Sequence, residues 1–213
     1  MPSPIVHLEV LFVLFNQFNR TVTAELLLGV LSPDAIHMRP NQTWLDKAMT
    51  HFYHEADTSY DHAIKTAKKI VTDESDDFQL GYLIHLYTDY LWREKIYTPF
   101  FNAYKDRMER SELHALYYFE MQCIDHQLLS SAYWVEEARL KLLQVKSLAC
   151  LPLLSKNEID DWRLKVLEDD LKRKAYQQNE CKVFNMRQIQ SFIAFCCNQL
   201  TQQLEGWKSS ESC

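Results

Sequence analysis

The stretch from Asp76 to Ile96, DDFQLGYLIHLYTDYLWREKI, limits what this chain can fold into more than any other part of the sequence. Its mostly apolar residues recur at steps of three and four, which predicts one helix with a buried stripe. Asp76 or Asp77 stands where a side chain caps the first helical turn. The members of the stripe are Phe78, Gly81, Tyr82, His85, Asp89, Trp92 and Ile96.

Three residues of this stripe carry specific predictions. Gly81 costs about 1 kcal/mol relative to alanine inside a helix, so we expect another backbone to approach that face closely. His85 and Asp89 lie one helical turn apart, which is close enough to share a metal ion. The alternative interpretation is a buried imidazole whose hydrogen-bonding needs are met by its own aspartate neighbour.

The whole chain favours helices. It has only three glycines and six prolines in 213 residues, and 47% hydrophobic residues are enough to bury a real core. We predict an all-α protein with a single multi-helical domain over residues 1–206, built from about eight to ten helices. The predicted metal site lies in residues 1–130 and a helical C-terminal part covers 131–206. Gly29 and Gly206 are predicted to end helices, and residues 207–213 to form a frayed tail.

Composition excludes several classes of protein. A formal charge of −6 and a pI near 5.7 argue against a nucleic-acid coat. The six cysteines include no C-x-x-C pair, so no thiolate zinc knuckle is indicated. The apolar N-terminal stretch has no preceding basic residue and no cleavage site, and polar residues interrupt it too soon for a bilayer span. We therefore expect a cytoplasmic protein without a transmembrane segment.

Further acids and imidazoles stand on otherwise apolar backgrounds. His7 lies on a predicted helix from Ser3 to Phe18, with Pro4 suited to an early helical position. Asp34 follows a Ser-Pro turn signature and is equally explained as a turn or capping residue. His51 shares a helical face with apolar neighbours, and a core or rim position is the alternative there.

Two carboxylates of the second half of the chain also qualify. Glu120 and Asp125 fall on the apolar stripes of a predicted helix over Ser111 to Leu129, and we interpret them as inward-facing. The alternative is a solvated face.

In this order the motifs resemble those of the zinc-dependent phospholipase C family, which shares its helical fold with the P1-type nucleases. The resemblance is carried by an N-terminal histidine, by G-x-x-S-P-D, by T-H-F and by G-Y-x-x-H-x-x-x-D. These are His7, Gly29 to Asp34, Thr50 to Phe52, and Gly81 to Asp89. The resemblance covers about the first half of the chain. Within the family, the chain looks most similar to small bacterial members without a secretion signal.

The resemblance implies the phospholipase C / P1 nuclease fold and a zinc cluster. By that resemblance His7 and Asp34 match the pair that binds one zinc, and His51, His85 and Asp89 match ligands of another. Mixed histidine and carboxylate ligation suits zinc, and manganese or iron also accept it.

The sequence departs from the family pattern in three places. Secreted members ligate a zinc with the amine of a processed N-terminal tryptophan, whereas six residues precede His7 here. Family members have a further histidine after the H-x-x-x-D helix. This chain lacks it and has Trp92, Arg93 and Lys95 in that region. The later histidines have no clear counterpart, although Glu120 and Asp125 are carboxylates that could substitute. We therefore expect one or two metal ions rather than three.

The function that the resemblance implies is metal-assisted hydrolysis of a small phosphate-ester substrate. In such a site a carboxylate near the metal orients the attacking water, so the resemblance makes Asp34, Glu120 and Asp125 the candidate catalytic residues. A second helical class, the HD-type phosphohydrolases, is disfavoured because the chain has no adjacent His-Asp pair. The remaining alternative is a non-catalytic helical protein in which the same residues are structural or vestigial.

Overall fold

The structure, a computed structural model, describes residues 1–53, 60–70, 76–145, 153–172 and 181–210. Helices dominate those ranges and no β-strand occurs in them, which confirms the all-α prediction. None of the described helices is long and apolar enough to cross a membrane. The α-helices are α1 (Pro4–Gln17), α2 (Ala24–Leu31), α3 (Trp44–Thr50), α4 (Tyr60–Ile70), α5 (Asp77–Trp92), α6 (Thr98–Tyr104), α7 (Arg110–Ser131), α8 (Val135–Gln144), α9 (Lys156–Lys165) and α10 (Met186–Ser210).

Three shorter segments complete the helical description. A 3-10 helix, Ser32–Met38, follows α2 directly. A π-helical turn, Arg93–Tyr97, joins α5 to α6, and a second one, Val166–Asp170, extends α9. The sequence also predicts a capping box at Ser155 to Glu158 that opens a helix through about residue 177. The capping box is confirmed, and residue 177 lies outside the described residues.

The helices group into two compact units. The first unit comprises Met1–Arg20, Thr88–Ala132 and Arg173–Cys213, and the second comprises Thr21–Tyr87 and Tyr133–Lys172. The chain passes from the second unit to the first within α5. A single domain over residues 1–206 stays a prediction.

In the first unit α1, α7 and α10 contact one another. The Ser3 side chain accepts a hydrogen bond from the Val6 amide at 3.3 Å and so caps α1. Pro4 opens α1, as the sequence predicted. Nine of the 14 residues of α1 are buried. A helix that is apolar on nearly all sides is a core helix, so α1 forms the centre of this unit.

In the second unit α2 and α5 cross backbone to backbone at two glycines. A Cβ atom on Gly81 would lie 2.4 Å from the Leu26 carbonyl oxygen, and one on Gly29 would lie 2.1 Å from the Phe78 carbonyl oxygen. The close approach predicted for Gly81 is confirmed. The prediction that Gly29 ends its helix is wrong, because α2 continues to Leu31 and needs the glycine for the crossing.

Arg39 connects three parts of the second unit, directly after the 3-10 helix. Its Nε lies 2.7 Å from Glu158 Oε1 and its Nη1 lies 2.9 Å from Asp46 Oδ1. Hydrogen bonds from Thr43 and Arg39 lower the pKa of Asp46 to about 2. Burial would raise the pKa of Glu158, but the Arg39 hydrogen bond and those from Ser155 outweigh it and lower that pKa. Both carboxylates are therefore charged at neutral pH.

The chain's last helix runs further than predicted. α10 passes through Gly206 to Ser210, so the prediction that it ends at Gly206 is wrong, and the frayed tail over residues 207–213 stays a prediction. Glycine ends a helix by adopting the left-handed conformation, and no glycine of the described residues has a positive φ. Residues 211–213 lie outside the described part.

Candidate metal centre

Three buried ligand-type residues converge within the second unit. Asp34 comes from the 3-10 helix, His51 from the residue directly after α3, and His85 from the middle of α5. One ligand atom of each lies within 4.8 Å of those of the other two, and the residues are only 6%, 4% and 1% exposed. Two imidazoles and one carboxylate form a donor set that zinc accepts, with one position left for water or substrate.

Main-chain carbonyl groups fix both imidazoles. Nδ1 of His85 lies 2.8 Å from the Val30 carbonyl oxygen, and Nδ1 of His51 lies 3.0 Å from the Lys47 carbonyl oxygen. A carbonyl oxygen only accepts, so each Nδ1 carries the hydrogen and Nε2 is the nitrogen that a metal would use. Val30 belongs to the last turn of α2, whose carbonyls lack partners within the helix. The donor set and its supporting contacts therefore fit a metal ion.

The charge of Asp34 is held by its neighbours. Its Oδ1 lies 3.2 Å from Lys47 Nζ, 3.5 Å from His51 Nε2 and 3.6 Å from His37 Nε2. Burial alone would raise the pKa of Asp34, but the Lys47 ammonium, the His51 hydrogen bond and the His85 charge outweigh it and hold that pKa well below its usual range. At neutral pH the group is a carboxylate, which is the form that binds metal.

The end of α3 places His51 through an unusual backbone conformation. Phe52, the next residue, has a φ of 53°, in the left-handed region where glycine is the usual residue. The amide after it donates to the Ala48 carbonyl at 2.8 Å, which closes the helix end. The Phe52 ring packs against Tyr82 at 6.1 Å between centroids, and the Tyr82 hydroxyl donates to the Thr50 carbonyl at 2.5 Å.

A second pair of predicted ligands meets in the first unit. His7 Nε2 of α1 lies 3.4 Å from Asp89 Oδ1 of α5, and both residues are buried. The resemblance grouped His7 with Asp34 and grouped Asp89 with two histidines, so the observed pairing differs from the predicted one. His85 and Asp89 lie one turn apart on α5, as predicted, but the His85 imidazole is hydrogen-bonded to a backbone carbonyl.

Glu120 has a structural role. Its carboxylate accepts hydrogen bonds from three consecutive amides, at 2.7 Å from Lys182, 3.0 Å from Val183 and 2.9 Å from Phe184. It is fully buried, so its predicted inward orientation is confirmed and the solvated alternative is wrong. Its two oxygens hold the segment that precedes α10, and its catalytic role stays a prediction.

Asp125 is also buried. Its Oδ1 accepts a hydrogen bond from the Ser3 hydroxyl, at the cap of α1. Within the residues that the structure describes, neither Asp125 nor Glu120 belongs to a group of three side chains that could hold a metal. The catalytic role of these two carboxylates therefore stays a prediction, as does their role as substitute ligands.

Lys47 is the residue that sequence reasoning missed. It precedes His51 by four positions, so both side chains leave α3 on one side, and its Nζ lies 3.1 Å from His37 Nε2 as well as near Asp34. The i, i+4 spacing from His51 was the available signal. The sequence also offers His37, three residues after Asp34, as either a partner of Asp34 or a surface residue; it is exposed, and its Nε2 lies 3.6 Å from Asp34 Oδ1.

No protein-family model, curated protein or solved structure matches this chain. The resemblance to zinc-dependent phospholipases C is carried by the motif residues alone. It stays a prediction, as does the corresponding fold.

Proposed function

We propose that this chain is a cytoplasmic metal-dependent hydrolase of phosphate esters, with the phospholipase C / P1 nuclease fold. Asp34, His51 and His85 would hold one divalent ion, with zinc the best match to the donors and manganese or iron accepted. The convergence of these three buried side chains, drawn from positions 51 residues apart along the sequence, is the observation that carries the proposal.

Each residue has a defined task in this site. A bound zinc ion acts as a Lewis acid and lowers the pKa of water from 15.7 to roughly 7. Asp34 supplies the negative charge of the donor set, and the two carbonyl hydrogen bonds hold the rings of His51 and His85 in one orientation. Phe52 and Tyr82, which pack on each other, supply apolar surface within the same unit.

The pair of His7 and Asp89 supports the possibility of a second ion. Both are buried and 3.4 Å apart, and imidazole with carboxylate is again a donor set that zinc accepts. The predicted count of one or two ions therefore stands as part of the proposal.

A structural metal site is the second candidate function. The near-complete burial of all three ligands favours it. Structural zinc sites, however, are normally closed by four protein ligands, whereas three ligands with an open position are typical of catalytic sites. Among the residues that the structure describes, three donors converge in the second unit, and this number supports the catalytic interpretation.

The test is metal content and turnover in one preparation. Protein purified without chelator or affinity tag should contain zinc or take it up stoichiometrically. It should hydrolyse generic phosphodiesters or phosphomonoesters, lose activity on chelation and regain it with zinc or manganese. Asp34→Asn removes the charge and keeps the shape, so it should lose both metal and turnover, and His85→Ala should do the same. Asp161→Asn, on the exposed face of α9, is the matched control and should change neither.

The outcomes separate the two candidates. A wild type that takes up no metal refutes both. A wild type that binds metal at these residues but gives the same background rate as Asp34→Asn across the ester panel refutes the hydrolase and favours the structural role.

A further inference from the structure

Lys47 places a cation on the solvent side of the buried donor set. Its Nζ lies 3.2 Å from Asp34 Oδ1 and 3.1 Å from His37 Nε2. The lysine side chain is 27% exposed, whereas His51 and His85 are almost fully buried. The two imidazoles therefore lie on the buried side of Asp34, and the Lys47 ammonium lies on its solvent side.

The Asp34 oxygen beside the Lys47 ammonium, Oδ1, is also the one 3.5 Å from His51 Nε2, so a metal ion held by His51 Nε2 and that oxygen would compete with the ammonium. A zinc-bound carboxylate oxygen lies about 2.0–2.2 Å from the ion, and two cations on one oxygen repel strongly where solvent screening is weak. Lys47 is also the strongest of the groups that hold the pKa of Asp34 low against burial. The lysine therefore fulfils, towards Asp34, the charge-balancing role that a metal would take over.

A displaced Lys47 has a clear direction in which to move. Lysine carries a compact, strongly hydrated charge on a flexible four-carbon stem, and the partly exposed side chain can turn outward without losing contact with water. In that position its charge faces whatever anionic group approaches from solvent.

Building on the proposed function, we propose that Lys47 is an exchangeable counter-ion of Asp34. It occupies the carboxylate when metal is absent, withdraws when metal binds, and then binds the anionic oxygens of the phosphate group. Lys47 is thereby a specificity-determining residue that selects anionic substrates and also lowers the affinity of the site for its metal.

Zinc titration of the metal-stripped full-length chain tests the exchange. Lys47→Met keeps the length of the side chain and removes its charge, so it should bind zinc about tenfold more tightly than wild type, or about 1.4 kcal/mol. Lys47→Arg keeps the charge and should retain wild-type affinity. Lys172→Met is the matched control, because that lysine also pairs with a carboxylate, Glu168, on the surface of the same unit. It should not change zinc affinity.

Inorganic phosphate titrated into the zinc-loaded proteins tests the second half. Phosphate should bind loaded Lys47→Met about tenfold more weakly than loaded wild type, with Lys172→Met again unchanged. Circular dichroism confirms that each variant is folded, and Lys47→Gln replaces Lys47→Met if the latter is not.

Each result decides one claim. Equal or weaker zinc binding by folded Lys47→Met overturns the exchange and leaves the metal site standing. Tighter zinc binding with unchanged phosphate affinity overturns the anion-binding role. If zinc binds neither wild type nor Lys47→Met, the metal site of the proposed function fails, and the inference about Lys47 fails with it.

Discussion

The glycine crossing between α2 and α5 can be tested by adding one methyl group. In Gly81→Ala the new Cβ would lie 2.4 Å from the Leu26 carbonyl oxygen and 2.8 Å from the Val30 amide nitrogen. Ordinary contacts begin at 3.4 Å. The helices must therefore separate by about 1 Å (3.4 − 2.4), because both opposing atoms are backbone atoms that cannot rotate away.

The size of the effect follows from three contributions. Overpacking of a close contact costs about 1–3 kcal/mol, and alanine returns about 1 kcal/mol of helix propensity relative to glycine. Separation also weakens the hydrogen bond between His85 and the Val30 carbonyl, at about 1 kcal/mol for a neutral pair. We expect the free energy of unfolding to fall by about 2 kcal/mol, near the middle of this range.

Urea unfolding measures this change. With a slope of about 2 kcal/mol/M, the midpoint should fall by about 1 M. Zinc affinity should fall as well, because the group that orients His85 moves with α2. Asn102→Ala introduces the same side chain at an exposed position of α6 and should shift stability by at most about 0.5 kcal/mol. If Gly81→Ala is as stable as wild type and binds zinc equally well, the backbone contact is not what positions the site.

Three further predictions concern the rest of the chain. Glu120→Gln should lower the free energy of unfolding by about 2 kcal/mol, because it replaces a charged acceptor of three amides, and should leave zinc stoichiometry unchanged; loss of zinc would support the catalytic assignment. Arg39→Gln removes the cation between Asp46 and Glu158. Both carboxyl pKa values are lowered on folding, so the stabilisation by Arg39 should be complete above about pH 5 and disappear as the pH falls towards 2. The urea midpoints of variant and wild type should therefore converge on acidification and not on alkalinisation. If residues 1–206 form one domain, calorimetry should show a single two-state transition, and two resolved transitions would contradict that prediction.

The helical framework followed from local chemistry. Asp76 and Ser155 cap helices as predicted, because capping depends on one side chain and the next few amides. The close approach at Gly81 was predictable since a glycine in a helix interior is costly. Its partner Gly29 was misinterpreted, because glycine at a helix end and glycine at a helix crossing look alike in a sequence.

The site was predictable only in part. The pattern identified Asp34, His51 and His85, because polar residues on apolar backgrounds stand out. It did not predict the partners of Glu120, which are backbone amides more than 60 residues away. Backbone amides occur at residues of almost every type, so the sequence does not show which of them bind a carboxylate. Periodicity therefore predicts that Glu120 points inward but not which groups it contacts. Lys47 was missed because its role depends on its distance from Asp34 across a turn.

The conformation of Phe52 has a consequence for how this protein can be stabilised. A bulky residue in the left-handed region costs about 1–2 kcal/mol that glycine would not incur, and here the conformation is maintained by the packing of the ring on Tyr82. The position that a thermostability screen would exchange first for glycine is thus the one that connects the core to His51. Replacing Phe52 with glycine would remove the strain at the helix end but would also leave the position of His51 less fixed. A substitution at Tyr82 would alter the position of His51 indirectly, through Phe52. Stability and ligand geometry at this corner are therefore expected to evolve together.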